Sequence, residues 1–217
     1  MSEHSPYYNH TIRIVAAVIG VAIIIGGLTH NYWEIRQGNL PTGGIFIDSV
    51  GPEQLKWSEG QDPGMTVIPN FLATGIVGFI FGTAAVIWAV FFIHKPRGPL
   101  VFLLLMIAQT LSGGGIGYIP FYIVAWAYAT RINKPLTGWD RILTPGLRRW
   151  VSKLWMPAMI GAAVLWILLL ETSIYGFFWE VIGKQQLLYT IWWSLLAVMV
   201  LMNIAFIGAA AKDLESR

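Results

Sequence analysis

Four apolar runs set what this chain can fold into. They cover residues 14–28, 71–93, 156–170 and 187–208. With its semi-polar ends, each run approaches the roughly 20 residues that an α-helix needs to cross a hydrocarbon core of about 30 Å. Because 56% of the 217 residues are hydrophobic and only 12% are charged, the chain is too apolar for an ordinary soluble domain. The sequence therefore predicts an all-α integral membrane protein built on a bundle of four transmembrane helices.

A fifth apolar segment, 99–130, is broken at its centre by "QTLSGGGIGYIP". Adjacent glycines give the backbone the freedom to reverse, and Pro120 suits the first turn of a returning helix. We therefore expect a re-entrant helical hairpin with a polar, glycine-rich tip. The tip consists of Gln109, Thr110, Ser112, Gly113, Gly114 and Gly115. If the protein conducts a solute, these residues also form the pore element. In this hairpin Gly113 to Gly115 form the tight reversal, and the three polar side chains bond the unpaired helix ends. The alternative is one long kinked helix, which would give five transmembrane helices.

Basic residues predict the orientation, because cytoplasmic loops retain Lys and Arg during insertion. Lys95 and Arg97 follow the second run, and six further Lys and Arg residues lie within 131–153. The loop 34–68 is acidic on balance and belongs on the other side. This pattern places both termini and both basic loops in the cytoplasm of a multi-pass protein of the cell (inner) membrane. It also favours the hairpin, since both flanks of 99–130 then lie on one side.

The whole chain, 1–217, is interpreted as a single membrane domain. Its loop 34–68 is predicted to fold into an outer lid, because Ile45, Phe46, Ile47 and Val50 give it apolar residues to bury. Segment 138–153 alternates apolar with basic residues and predicts a short amphipathic helix on the anionic membrane surface. The helices around the broken segment are expected at about 12–33, 69–94, 154–172 and 187–210.

Small residues recur at helical spacing in the second run, at Gly75, Gly78, Gly82 and Ala85. Such a stripe lets two helix backbones approach closely in a membrane. We expect it to pack against another helix of the same chain rather than against a second copy.

Chemical motifs are few. His30 and Glu34 are four residues apart, hence on one helix face, and with Asp48 or Asp62 they are candidate metal ligands. A local hydrogen-bonded pair is the expected arrangement, so no metal site is predicted. The absence of cysteine excludes disulfides and thiolate metal sites. Since no nucleophile motif or dinucleotide fingerprint occurs, the sequence assigns no catalytic residue and no cofactor.

Four stretches in fixed order carry a resemblance: "HNYWEIRQGNLPTGGIFIDSVG", "TVIPNFLATGI", "SGGGIG" and "ATRINKPL". In these features the chain resembles a family of small prokaryotic polytopic integral membrane proteins with no assigned function. The resemblance implies a membrane bundle and a prokaryotic source. It carries over no catalytic residues.

The expected function is that of a non-catalytic structural or accessory subunit of a larger membrane protein complex. One alternative is a small transporter or channel, in which the glycine-rich element and Asn70, Thr74 or Asn203 line a polar path. A second alternative is a lipid-modifying membrane enzyme acting near His30 and Glu34. The expected partners are the lipid bilayer and other membrane proteins or further copies of this chain, and no nucleic acid.

Overall fold

The computed structural model describes residues 7–177 and 179–217. In chain order, the elements are α1 (His10–Gln37), β1 (Phe46–Asp48), β2 (Pro63–Thr66), α2 (Phe71–Phe91), α3 (Gly98–Thr110), β3 (Ser112–Gly115), a 3-10 turn (Ile116–Tyr118), α4 (Ile119–Ala129), α5 (Thr137–Ile142), α6 (Pro145–Val151), α7 (Trp155–Tyr175), α8 (Trp179–Ile182) and α9 (Lys184–Glu215). Within the described residues, α1, α2, α7 and α9 are long and apolar enough to cross a membrane. The predicted all-α membrane protein is confirmed.

Helix α1 lies at the centre and packs against α2, α4, α7 and α9. Its first turn is held by the far end of the chain, because the Asp213 carboxylate accepts hydrogen bonds from the backbone N–H groups of Thr11 (2.8 Å) and Ile12 (2.9 Å). A carboxylate at this position satisfies free N–H groups and complements the helix dipole. We call this end of the bundle the basic end, since Lys95 and Arg131 also lie here, and the opposite end the lid end.

The segment containing α3 and α4 is a hairpin that enters and leaves at the basic end. The Asn133 side chain after α4 donates to the His94 carbonyl before α3 (2.7 Å), and Asn9 N–H donates to the Ile132 carbonyl (2.8 Å). Helices α3 and α4 have 13 and 11 residues. They are therefore about 20 Å and 17 Å long, shorter than a hydrocarbon core of about 30 Å. The alternative of a single kinked helix, with five crossings, is wrong for this fold.

The tip of the hairpin differs from the predicted glycine turn. Ser112 to Gly115 are extended as β3, which pairs with β2 of the lid in an antiparallel sheet of order β1-β2-β3. Val67 N–H also donates to the Leu111 carbonyl (2.9 Å). The lid backbone, rather than the polar side chains near the tip, thus supplies partners for backbone groups that lipid cannot satisfy. The Thr110 hydroxyl donates to the Met106 carbonyl of its own helix (2.9 Å).

The small-residue stripe of α2 faces the interior of this chain. An added Cβ at Gly75 would lie 2.8 Å from the Asn31 carbonyl oxygen, and one at Gly78 would collide with the Asn31 side chain. Gly82 is covered by the Gln109 side chain, and Ala85 is fully buried. The stripe therefore provides close contact with α1 and the hairpin, as the spacing of small residues in membrane helices allows.

The basic segment that was expected as one amphipathic helix forms two, α5 and α6. Thr144 between them has an extended backbone (φ −58°, ψ 154°), and Pro145 begins α6. Proline has no N–H to continue the preceding helix and disfavours helical geometry in the residue before it. Ile142, Leu147 and Trp150 are exposed on these helices.

The lid is fastened to α7 and α9 as well as to the hairpin. Trp57 Nε1 donates to the Ser173 carbonyl (2.8 Å), and the indole ring covers Gly176. An exposed ion pair joins Glu59 of the lid to Lys184 at the start of α9. Ile47, Val50 and Trp57 are buried beneath the lid surface.

Candidate functional site

A buried polar cluster lies where α1, the lid and the hairpin tip meet. On α1, Glu34 follows His30 by four residues and Asn31 by three, spacings at which side chains are neighbours on the helix surface. The Asn31 side chain packs against Gly78, which is seven residues into α2, hence about 10 Å below its first residue. The cluster therefore lies within the length of a membrane helix. We define the lid cluster as His30, Asn31 and Glu34 of α1, Ser49 and Asp62 of the lid, and Tyr118 of the 3-10 turn.

His30 is the centre of the lid cluster. Its Nδ1 lies 2.8 Å from Ser49 Oγ, and its Nε2 lies 2.6 Å from Asp62 Oδ2 and 3.0 Å from the Tyr118 hydroxyl. Tyr118 also donates to Asp62 Oδ2 (3.1 Å). The side chains of a lid residue and a hairpin residue thus converge on one imidazole edge.

Glu34 is the second hydrogen-bond partner of Ser49. Its carboxylate accepts hydrogen bonds from Ser49 Oγ (3.0 Å) and Asn31 Nδ2 (3.1 Å). Asn31 Nδ2 also donates to the Ser112 carbonyl of β3 (2.9 Å). Because Ser49 donates its proton to Glu34, its oxygen is free to accept a hydrogen bond from His30 Nδ1. Ser49 thus links the imidazole of His30 to the carboxyl group of Glu34.

The glycine-rich tip is shaped around this network. Gly113 has φ +97°, a conformation that favours glycine, and an added Cβ there would collide with the Glu34 carboxylate. A Cβ at Gly115 would lie 2.8 Å from His30 Nε2. The glycines that signal a break in the sequence thus allow the β3 backbone to lie directly against the lid cluster.

Asp62 connects the cluster to the protein surface. Its side chain is 19% exposed, whereas His30 is 1% exposed. Asp62 also has a positive φ of 52°, which is uncommon for a residue other than glycine. A strained residue that carries a buried contact is typical of functional and ligand-clamping positions. Asp62 is therefore the member through which water or a solute would first meet the cluster.

Ser49, His30 and Asp62 are the residue types of a nucleophilic triad, but a substrate could not reach the serine. Ser49 is 0% exposed, and its hydroxyl proton is directed at Glu34. A serine nucleophile must reach a substrate carbonyl and be deprotonated by its histidine. This arrangement binds the lid to α1 and offers no accessible nucleophile.

Below the lid cluster, the bundle becomes apolar within a few turns. Gln109 accepts a hydrogen bond from the Tyr122 hydroxyl (3.2 Å) and lies against Gly27 of α1. Closer to the basic end, Phe102 lies against Gly20, and it is fully buried with Ile19, Ile23 and Met106. The polar groups therefore end in a close-packed apolar layer rather than continuing towards the basic end.

The structure brings some of the predicted site residues together and separates others. His30 and Glu34 share Ser49 as a hydrogen-bond partner. Within residues 7–177 and 179–217, no group of three or more His, Cys, Asp or Glu side chains is arranged to hold a metal ion. Of the proposed path residues, Thr74 is buried, and Asn70 caps α2 through its side chain. Asn203 is exposed on α9 and bonds the Met199 carbonyl of its own helix (2.8 Å).

Three members of the lid cluster did not stand out in the sequence: Asn31, Ser49 and Tyr118. For Asn31 a signal exists, because it belongs to the polar stretch that begins at Thr29, directly after the first apolar run. Ser49 and Tyr118 lie in loop and turn segments without periodicity, and only the fold brings them to His30.

Comparisons with protein-family models, with curated proteins and with solved structures find no match to this chain.

Proposed function

We propose that this chain is a non-catalytic accessory subunit of a larger complex in a prokaryotic cell membrane. The observation that carries the proposal is the uncovered outer face of the short hairpin. Leu104 and Ile107 of α3 and Ile123 of α4 are exposed, and the two helices leave an apolar groove of about 170 Å³ between them. We call this surface the hairpin face.

The depth of the hairpin tip explains why the hairpin face needs a partner. Because α3 is about 20 Å long, its end lies about 10 Å short of the far side of a hydrocarbon core of about 30 Å. At that depth β3 itself is buried under the lid, but Phe46 on the outer strand β1 and Val67 after β2 are 73% and 64% exposed. Irregular backbone and sheet edges at membrane depth are tolerated only where protein or a water-filled cavity covers them. An apolar transmembrane helix of another subunit would provide that cover.

A tagged chain, purified in mild detergent from cells that produce it natively, is expected to retain another membrane protein. Ile123→Trp should lower the yield of that partner at least tenfold, which corresponds to about 1.4 kcal/mol of binding free energy. Ile160→Trp is the matched control, because Ile160 is equally apolar and exposed but lies on α7. The proposal is contradicted if the chain purifies alone or only with its own copies, or if both variants retain the partner equally.

A small transporter is the second candidate, and the lid cluster is the observation in its favour. Ionisable residues within membrane helices are uncommon and frequently mark ion or proton pathways. His30, Glu34 and Asp62 lie beside the glycine-rich tip, as a re-entrant transport element requires. The apolar layer around Phe102 opposes continuous passage. Proton or solute flux into vesicles that contain only this chain would replace the accessory role with transport.

We further propose that the basic end faces the cytoplasm and the lid faces outward. The support is the positive charge at one end and the acidic lid at the other, in keeping with insertion preferences. Since the chain has no cysteine, single cysteines can report this directly. In intact cells, Glu53→Cys should react with an impermeant thiol reagent, whereas Lys95→Cys and Arg131→Cys should not. The reverse pattern, or labelling of only one basic position, would contradict the orientation.

A further inference from the structure

A second groove lies between α1 and α2, near the basic end and away from the hairpin face. It has a volume of about 390 Å³ and is lined by Arg13, Ile14, Ala17, Val18, Val21 and Val90. All but one of these residues are aliphatic. Arg13 lies closest to the start of α1, so the groove has a charged mouth and an apolar floor that extends along the helix.

Among residues 7–177 and 179–217, no carboxylate pairs with the charge at the mouth. Arg13 donates to two neutral oxygens, the Tyr8 hydroxyl and the Val90 carbonyl, each at 3.3 Å. Within the described part of the chain, no ion pair involves Arg13 or the neighbouring Lys95. Arg13 and Lys95 are both close enough to His94 for their positive charges to act on its imidazole.

The pKa of His94 reflects the positive charge of Arg13 and Lys95. Burial lowers the pKa of its imidazole below the ordinary value, and the positive charges of Arg13 and Lys95 lower it further. Tyr8 packs edge-on against the same imidazole, with 6.3 Å between ring centroids. The side chains that surround His94 therefore present positive charge and polar aromatic groups, which attract an anion.

We propose that this groove binds an anionic phospholipid, with one acyl chain on the aliphatic floor and the phosphate at Arg13 and Lys95. The charge pattern favours a lipid with net negative charge over a zwitterionic one, because basic residues at a membrane surface attract anionic headgroups. Burial of the acyl chain against Ala17, Val18 and Val21 adds an apolar contribution to the binding free energy. The groove shares no lining residue with the groove of the hairpin face.

The test measures binding of phosphatidylglycerol and phosphatidylcholine, of identical acyl chains, to the full chain in mild detergent by native mass spectrometry. The wild type should bind phosphatidylglycerol at least tenfold more tightly than phosphatidylcholine. Arg13→Gln should remove this preference, and Arg13→Lys should retain part of it. Ala17→Leu should weaken binding of phosphatidylglycerol by filling the floor while leaving the charged mouth unchanged.

Arg36→Gln is the matched control, since Arg36 lies on the same helix at the lid end. It should leave the preference for phosphatidylglycerol intact. Equal binding of the two lipids by the wild type would overturn the proposal. So would a preference that survives Arg13→Gln, binding of phosphatidylglycerol that Ala17→Leu leaves as tight as in the wild type, or a preference that Arg36→Gln removes to the same extent.

Discussion

Replacing Gly113 with alanine is expected to lower the free energy of unfolding by about 2–6 kcal/mol. Its positive φ of +97° disfavours any side chain, at about 1–3 kcal/mol. The new Cβ also displaces the Glu34 carboxylate from Ser49 and Asn31, and a buried group that loses its hydrogen bonds adds about 1–3 kcal/mol. Thermal unfolding in mild detergent, followed by circular dichroism, measures the effect.

Gly117→Ala is the control for that experiment. Gly117 is close in sequence, but an added Cβ there has no atom within 4 Å and its φ is not positive. The control should change stability by no more than about 0.5 kcal/mol. If both alanine variants unfold at the same temperature, the close approach of β3 to the lid cluster is not a determinant of stability.

Removing the His30 imidazole is the second large change we expect to measure. His30→Ala leaves Asp62 and Ser49 without their shared partner in a buried site. Breaking a buried charge pair by removing one side costs about 3–5 kcal/mol, because the remaining charge is uncompensated. Since Asp62 is 19% exposed, part of that cost is relieved by water, and the lower end of the range is expected.

The exposed ion pair between Glu59 and Lys184 provides the matched comparison. It also fastens the lid to the bundle, but both of its side chains are well exposed. Lys184→Gln should therefore lower the unfolding free energy far less than His30→Ala does. In a double-mutant cycle, His30→Ala and Asp62→Asn should be strongly non-additive. Additive effects, or a Lys184→Gln variant as unstable as His30→Ala, would mean that the buried pair does not hold the lid.

Part of the lid cluster was within reach of sequence analysis. Helix periodicity relates residues four apart without any knowledge of the fold, and it predicted His30 and Glu34 as neighbours on one helix face. In the structure Ser49 links the two side chains. Asp62 was named only as a candidate metal ligand, yet its carboxylate contacts His30 Nε2 directly. Ser49 and Tyr118 were not named at all. Their positions depend on how the lid and the hairpin tip pack, which no local pattern specifies.

The sequence by itself determined the four membrane helices, the break within 99–130 and the small-residue stripe of α2. Each of these is a local property, since apolar length, helix period and glycine content act along the chain. Only the tertiary structure decided that the glycines extend as β3 and pair with the lid. That pairing joins segments about 50 residues apart in sequence, Gly64 with Gly115, and satisfies backbone groups that lipid leaves unbonded. Because this requirement arises only when the hairpin stops inside the membrane, no single segment reveals it.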